Sequence, residues 1–259
     1  AVRPLIEGGA GRAELQDAMP SGPARAAVDC ALWDLEAKRT GWPLWRLAGL
    51  DGPLQPVTTV YTISLGRPEA MAEAARAVAD RPVLKLKLGG EGDLERVAAV
   101  RAAAPDARLS VDANTAWSEA QMAEFPAQLA EMGVELIEQP FPLGEDARLD
   151  GLARPVPVAA DESCRDRTSL PALAGRYDWI NIKIDKTGGL TEALALAHEA
   201  RSQGFGLMVG CNIGTSLAMA PGMVVAQLAG FVDLDAPLLL ARDRAEGLAY
   251  EGSRVHPPE

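Results

Sequence analysis

Eight charged residues stand at the ends of short apolar runs: Lys85 and Lys87 in VLKLKLGG, Asp112 in SVDAN, Glu138 in LIEQP, Asp161 in AADES, Lys183 in INIKID, and Asp233 with Asp235 in VDLDAP. By subtraction, the steps from Lys87 to Asp112, Glu138, Asp161 and Lys183 are 25, 26, 23 and 22 residues. Each step is the length of one strand-plus-helix unit, so these side chains return to the same rim of a parallel sheet. Asp112, Glu138 and Asp161 then offer three hard oxygen ligands around one point, a set suited to an octahedral Mg²⁺ that keeps its other positions for water or substrate. Without a cation, three converging carboxylates would repel and raise one another's pKa values.

The lysines suit a different task. Lys85 and Lys87 are two residues apart and point to one side of their strand, while Lys183 comes from a strand four places further on and faces them across the mouth of a barrel. A lysine with the usual pKa of about 10.4 is a poor base at neutral pH, but a neighbouring ammonium and a nearby Mg²⁺ both lower it. Two lysines on opposite faces of a carbon can remove a proton from one side and deliver one to the other, which is the minimum apparatus for epimerisation. A single lysine or carboxylate in a strand is ordinarily a solvated side chain, but charges at successive periods in strands that are otherwise buried need partners.

The elements that must hold these residues are legible from periodicity. After Ser21-Gly22-Pro23, the residues Val28, Ala31, Leu32 and Leu35 fall at helical spacing, and Gly41 supplies a stop signal. From Val57 onward eight β-rich runs alternate with longer helical stretches: VTTVYTIS, VLKLKL, RLSVDA, VELIEQ, VPVAAD, WINIKI, GLMVG and FVDLD. Helices are expected near 68–80, 92–104, 118–132, 145–152, 168–175, 189–203 and 215–229, with none after the eighth run. Strands separated by helices run parallel, and eight such units close most economically as an α/β, TIM-like (β/α)7β barrel. The expected organisation is a helical lead-in over 1–55, a barrel over 56–240 and a C-terminal segment over 241–259. The KTGGL that starts at Lys186 lacks the GxxxxGK[ST] pattern of a phosphate loop and reads as a turn into the next helix. Asn114, close behind Asp112, reads as a supporting residue.

Composition removes several function classes. A net charge of −11 disfavours nucleic acid and anionic membranes as partners. No apolar run reaches the roughly 18 residues of a membrane-spanning helix, and the expectation is a cytoplasmic protein acting on a small molecule, alone or as a homo-oligomer. Cys30, Cys164 and Cys211 are odd in number and widely spaced, which suggests small core residues rather than a disulfide framework or zinc knuckle. With only His198 and His256 available, hydrolases and zinc enzymes built on histidine have little material.

Taken in order, KLK, VDAN, IEQP, ADES and INIKIDKTGG resemble the muconate-lactonizing-enzyme group of the enolase superfamily, from about Pro23 to Leu240. The resemblance implies that Asp112, Glu138 and Asp161 bind Mg²⁺, that Lys87 and Lys183 are the paired acid/base residues, and that Lys85 lies against the substrate carboxylate as its charge grows. DLDAP resembles the DxD motif with which dipeptide epimerases hold the α-ammonium of a dipeptide, which assigns Asp233 and Asp235 to substrate binding. The implied activity is Mg²⁺-dependent epimerisation of dipeptides, of the L-Ala-D/L-Glu type, through an enediolate. Two alternatives stay open: another activity of the same group, such as o-succinylbenzoate synthesis or cycloisomerisation, and a catalytically silent metal-binding barrel. Members of the group carry an α+β capping domain ahead of the Pro23 helix, for which this sequence shows no counterpart; the C-terminal AEGLAYEGSRVHPPE resembles the piece that rejoins such a cap.

Overall fold

The structure, a computed structural model, describes residues 2–258. Its residues fall into two compact units: one holds the chain through Thr58, Arg165–Leu170 and everything from Ile182, and the other holds Thr59–Cys164 and Pro171–Asn181.

The unit that begins at Thr59 alternates strands and helices: β2 (Tyr61–Ile63), α5 (Pro68–Ala77), β3 (Val83–Lys87), α6 (Asp93–Ala103), β4 (Arg108–Asp112), α7 (Glu119–Glu131), β5 (Val134–Glu138), β6 (Val158–Ala160), most of α8 (Leu170–Leu173) and the first three residues of β7 (Trp179–Lys183). Helix α5 starts with Pro68 in its first turn and buries Met71 and Ala75, four apart on one face. In the α7 cap, Ser118 and Gln121 satisfy each other's backbone N–H groups. The strands pair in parallel, and alternation sorts their residues by face. Leu84, Leu86, Leu109 and Val111 are fully buried on one side, while Lys85, Lys87, Ser110 and Asp112 occupy the other. The β4–β5 register moves from Leu109↔Val134 to Ser110↔Leu136, so Glu135 is an extra residue. This bulge reverses the phase of β5 after Val134 and sets Glu138 opposite Asp112 instead of on the far face.

The other unit contains α1 (Arg3–Glu7), α2 (Arg12–Ala18), α3 (Pro23–Thr40), α4 (Leu44–Leu47), the last two residues of β7, α9 (Ile184–Thr187), α10 (Leu190–Ser202), β8 (Gly206–Gly210), α11 (Ser216–Ala226) and β9 (Phe231–Val232). Helix α3 opens on Pro23 and ends at Gly41, whose φ of 69° is the left-handed conformation glycine accepts freely. Its buried stripe differs from the expected one. Arg25, Ala26, Asp29 and Trp33 are buried, whereas Ala31 is exposed and Leu35 is 48% exposed. The reason is the surface α3 covers, a turn of exposed backbone polar groups that calls for charged partners, described below. A hairpin of β10 (Tyr250–Glu251) and β11 (Arg254–Val255) pairs antiparallel with β1 (Val57–Thr58). The single run expected over 57–64 is therefore two strands, because β1 finds its ladder partner in β11 and β2 finds its partner in β3.

In the parallel sheet the strand order β2-β3-β4-β5-β6-β7-β8-β9 follows chain order, the eight-strand sequence of the TIM-like α/β class. The stretch expected as helix over 145–152 is a four-residue 3₁₀ turn, Asp146–Leu149, because Gly144 and Gly151, both with φ above 75°, leave no room for a longer helix. Another 3₁₀ turn, Ala236–Leu239, follows β9 in place of a helix. No helix among the described residues is long and apolar enough to cross a membrane.

Candidate active site

Register builds the candidate set of the unit that begins at Thr59. Lys87 pairs with Asp112 and Asp112 with Glu138, which sets three charged side chains on one rung of the sheet. Lys85 stands one rung lower on the same face and is 1% exposed, the bulkiest fully buried side chain among the described residues. A buried ammonium is tolerated only with close counter-charges. Lys85 Nζ lies 2.7 Å from Glu138 Oε2 and 3.2 Å from Asp112 Oδ2, and Lys87 Nζ donates to Asp112 Oδ2 at 2.6 Å. Burial pushes the Asp112 carboxyl up, but the Lys85 and Lys87 ammoniums and the Lys87 hydrogen bond outweigh it against an opposing push from Asp161, and the group rests below the usual carboxylate range. The Asn114 backbone N–H donates to Asp112 Oδ1 at 2.9 Å, and Asn181 Nδ2 donates to Glu138 Oε1 at 2.8 Å.

Asp161 is held differently, by the residue after Glu138. Gln139 Oε1 accepts the backbone N–H of Asp161 at 2.9 Å and of Ser163 at 3.2 Å, while its Nε2 donates to the Phe141 carbonyl, Ser163 Oγ and Tyr177 OH. Both hydroxyls in turn donate to Asp146 Oδ1 at 2.6 Å. The bonds run from Asp146 through Ser163 and Tyr177 to Gln139, whose two amide N–H groups are shared among three acceptors, and on to the backbone N–H of Asp161. Gln139 has a φ of 34°, an uncommon conformation for a non-glycine residue that this bonding holds in place. Gln139, Tyr177, Asp146 and Asn181 escaped the reading of the sequence; the available signal was Gln139 itself, a polar residue between a strand-end acid and a proline in IEQP.

The remaining site residues belong to the other unit. Lys183 ends β7, is 7% exposed, and is the residue from which α9 starts. The KTGGL stretch is the turn between α9 and α10, with Gly188 at φ 80° and Gly189 at φ 124°. Asp233 and Asp235 are buried beyond the end of β9, where the Asp233 N–H donates to the Val209 carbonyl at 2.8 Å. The ligand atoms of Cys211, Asp233 and Asp235 lie within 4.8 Å of one another. Tyr250 donates to the Leu234 carbonyl between the two aspartates at 2.7 Å. Its hydroxyl pKa is raised by burial and by the charges of Cys211, Asp235 and Asp243, so it remains a donor at neutral pH.

Among the described residues, the ligand atoms that converge within 4.8 Å of one another are those of Cys211, Asp233 and Asp235, whereas Asp112, Glu138 and Asp161 are a candidate set by donor chemistry. Asp112, Glu138 and Asp161 are hard oxygen donors, each no more than 3% exposed, with Asp112 held ionised; they fit a Mg²⁺ ion. Cys211 with Asp233 and Asp235 mixes a soft sulfur with two oxygens and does not suit Mg²⁺.

A parallel α/β sheet carrying lysines and carboxylates at its strand ends defines a class of metal-assisted proton-transfer enzyme. Residues 69–259 match the enolase C-terminal domain-like family, and residues 6–49 match the N-terminal domain of the mandelate racemase / muconate lactonizing enzyme family, which corrects the expectation that the sequence holds no counterpart of that domain. The chain belongs to this family of the enolase superfamily. It is 46% identical to the L-Ala-D/L-Glu epimerase of Escherichia coli, over 98% of this chain and 80% of that one. It is 42% identical to an N-acetyl-D-glutamate racemase of a Pseudoalteromonas species, over 94% and 77%. Among solved structures it resembles an Agrobacterium tumefaciens enolase family member with homology to dipeptide epimerases, bound to sodium and L-Ala-L-Glu, at 52% identity and TM-score 0.96, covering 98% of this chain and 78% of that one. A dipeptide epimerase of Enterococcus faecalis V583 complexed with Mg and L-Leu-L-Tyr is 31% identical with TM-score 0.85, covering 92% and 71%.

Proposed function

We propose that this chain is an isomerase that epimerises dipeptides of the L-Ala-D/L-Glu type. The observation that carries the reading is the ion-paired row of Lys85, Lys87, Asp112 and Glu138, in a chain about half identical to a protein solved with L-Ala-L-Glu. Asp112, Glu138 and Asp161 hold Mg²⁺ in this reading, in keeping with the oxygen donor set and the magnesium-bound relative. Bound there, the ion neutralises charge that grows on the substrate carboxylate as the α-proton leaves.

Lys85, buried against two carboxylates, adds a fixed positive charge beside the same oxygens. Lys87 and Lys183 are the acid/base pair: one takes the α-proton from its face of the carbon and the other returns a proton to the opposite face. Asp233 and Asp235 receive the dipeptide's ammonium, a cation that two buried carboxylates bind through charge-assisted hydrogen bonds.

A second reading, racemisation of an N-acyl amino acid, is favoured by the 42%-identical racemase, whose substrate has no free ammonium. One experiment separates the two. The Mg²⁺-loaded protein is incubated in D₂O with L-Ala-D-Glu, L-Ala-L-Glu and N-acetyl-D-glutamate, and α-proton exchange is followed by NMR. Faster exchange of both dipeptides supports the proposal, exchange confined to the N-acetyl compound supports the second reading, and no exchange in any of them removes both.

A further inference from the structure

We propose that helix α3 is a positioning device for the Lys183 base, acting through Arg25 and Asp29. The inference rests on the two-base reading above.

The starting observation is what lies directly behind Lys183. The four residues after it form a single helical turn, α9, which runs into Gly188 and Gly189 and then α10. The turn closes on its Ile184 carbonyl, which accepts from Gly188 N–H, Gly189 N–H and Thr187 Oγ1, but the carbonyls of Thr187 and Gly188 and the first N–H groups of α10 have no partners within their own helices. One stripe of α3, residues 25, 29 and 33 at four-residue spacing, supplies them. Arg25 Nη2 donates to the Thr187 carbonyl at 2.6 Å and Nε to the Gly188 carbonyl at 3.1 Å, and Nη1 reaches the Gln16 and Met19 carbonyls at 3.3 and 3.1 Å. Asp29 Oδ2 accepts the Thr191 N–H at 3.0 Å, and Oδ1 accepts from Gln16 Nε2 at 3.0 Å. Trp33 Nε1 donates to Thr191 Oγ1 at 2.9 Å.

Arg25 is 7% exposed and Asp29 is 0% exposed. Burying two charges is costly, and stability alone is often served as well by an apolar stripe. A guanidinium fork making four hydrogen bonds and a bridging carboxylate provide something an apolar face cannot, a fixed direction and height for the turn. The approach is so close that a Cβ at Gly188 would collide with the Arg25 guanidinium and one at Gly189 with the Asp29 carboxylate, which accounts for the paired glycines of KTGG. The α9 turn is thereby fixed at its far end, and Lys183 is the residue at its near end.

The test is the exchange experiment on the Mg²⁺-loaded protein, with L-Ala-D-Glu and L-Ala-L-Glu followed separately. Lys183→Ala first identifies the stereoisomer served by that base. Asp29→Asn places an amide donor against donors, Arg25→Lys removes the fork, and Gly189→Ala pushes the turn away while leaving both charges intact. Each should slow exchange of the Lys183 isomer by about tenfold or more, a misplacement effect, while the other isomer stays within about twofold. Equal slowing of both isomers, or of neither, in the variants that keep native circular dichroism overturns the inference. Gly189→Ala and Arg25→Lys carry the test if Asp29→Asn does not fold. If Lys183→Ala and Lys87→Ala each leave both isomers exchanging, the two-base reading itself has failed, a result separate from any α3 variant.

Discussion

The two sets of candidate residues, one in each unit, are held by different physics. In the unit that begins at Thr59, the charges sit on a strand rung, and hydrogen-bonded register fixes Lys87, Asp112 and Glu138 beside one another. In the other unit, Lys183 is the last residue of β7 and Asp233 and Asp235 follow β9; side chains of α3 hold the turn after Lys183, and Tyr250 bonds the Leu234 carbonyl between the two aspartates. A rung cannot shift one residue without turning its side chains to the opposite face, so strand-held groups are rigid by construction. A turn has no such ladder and depends on outside groups. Strand-held charges should therefore fail only when they are themselves replaced, whereas turn-held charges should also fail at a distance.

The largest expected effect tests whether the halves work as partners. Lys87→Ala or Lys183→Ala should each lower epimerisation by a factor of about 10² to 10⁴, the range for loss of a positioned acid/base group. Each variant should still exchange the α-proton of one stereoisomer with solvent, and the two variants should spare opposite isomers, as followed by NMR in D₂O. Full epimerisation by both would dissolve the comparison.

The next effect is smaller and concerns the aspartates alone. Changing Asp233 and Asp235 together to Asn preserves shape while removing charge, and should lower kcat/KM for L-Ala-L-Glu by about tenfold to a hundredfold, the loss of charge-assisted bonds to an ammonium. N-acetylating the dipeptide should harm the parent enzyme by a comparable factor and the double variant far less, the non-additivity of groups in contact. Independent effects would mean that the aspartates serve the turn after β9 instead, and would move the substrate assignment toward N-acyl amino acids.

The contrast also accounts for what could be read in advance. Lys87, Asp112, Glu138, Asp161 and Lys183 announce themselves because each ends an apolar run one strand–helix unit from the next, and Lys85 shares the run of Lys87. The α3 stripe did not, because Val28, Ala31, Leu32 and Leu35 carry the apolar signal and the buried positions are Arg25, Asp29 and Trp33. Periodicity finds helical faces that pack on apolar surface, and α3 packs partly on bare backbone, where hydrophobicity is the wrong currency. The Glu135 bulge was equally silent: VELIE reads as a regular strand, and the phase change exists only in its pairing with β4. The division of 57–64 into two strands depends on a partner almost two hundred residues away, β11, and no local pattern encodes it.

The smallest effect concerns Asp161, the strand-end carboxylate that lies beyond its strand. Asp161 lies just past the end of β6, and its backbone N–H is bonded by Gln139, whose amide is oriented by Tyr177, Ser163 and Asp146. If this network sets the Asp161 carboxylate, Tyr177→Phe should weaken Mg²⁺ binding a few-fold. Gln139→Leu, which deprives two backbone donors and two hydroxyls of their partner, should weaken it by about tenfold, the lower end for loss of groups that orient metal ligands. Burial and the adjacent Asp146 raise the Tyr177 pKa, so the phenol stays protonated and donating through the neutral range and the Tyr177→Phe effect should not change between pH 6 and pH 9. Isothermal titration of Mg²⁺ into the substrate-free protein gives the affinity directly, and kcat at saturating Mg²⁺ should be nearly unchanged in Tyr177→Phe. A variant that melts earlier yet binds Mg²⁺ as tightly as the parent would show that the network supports only the loop, and Asp161 would then join the rung residues as a group held by its strand alone.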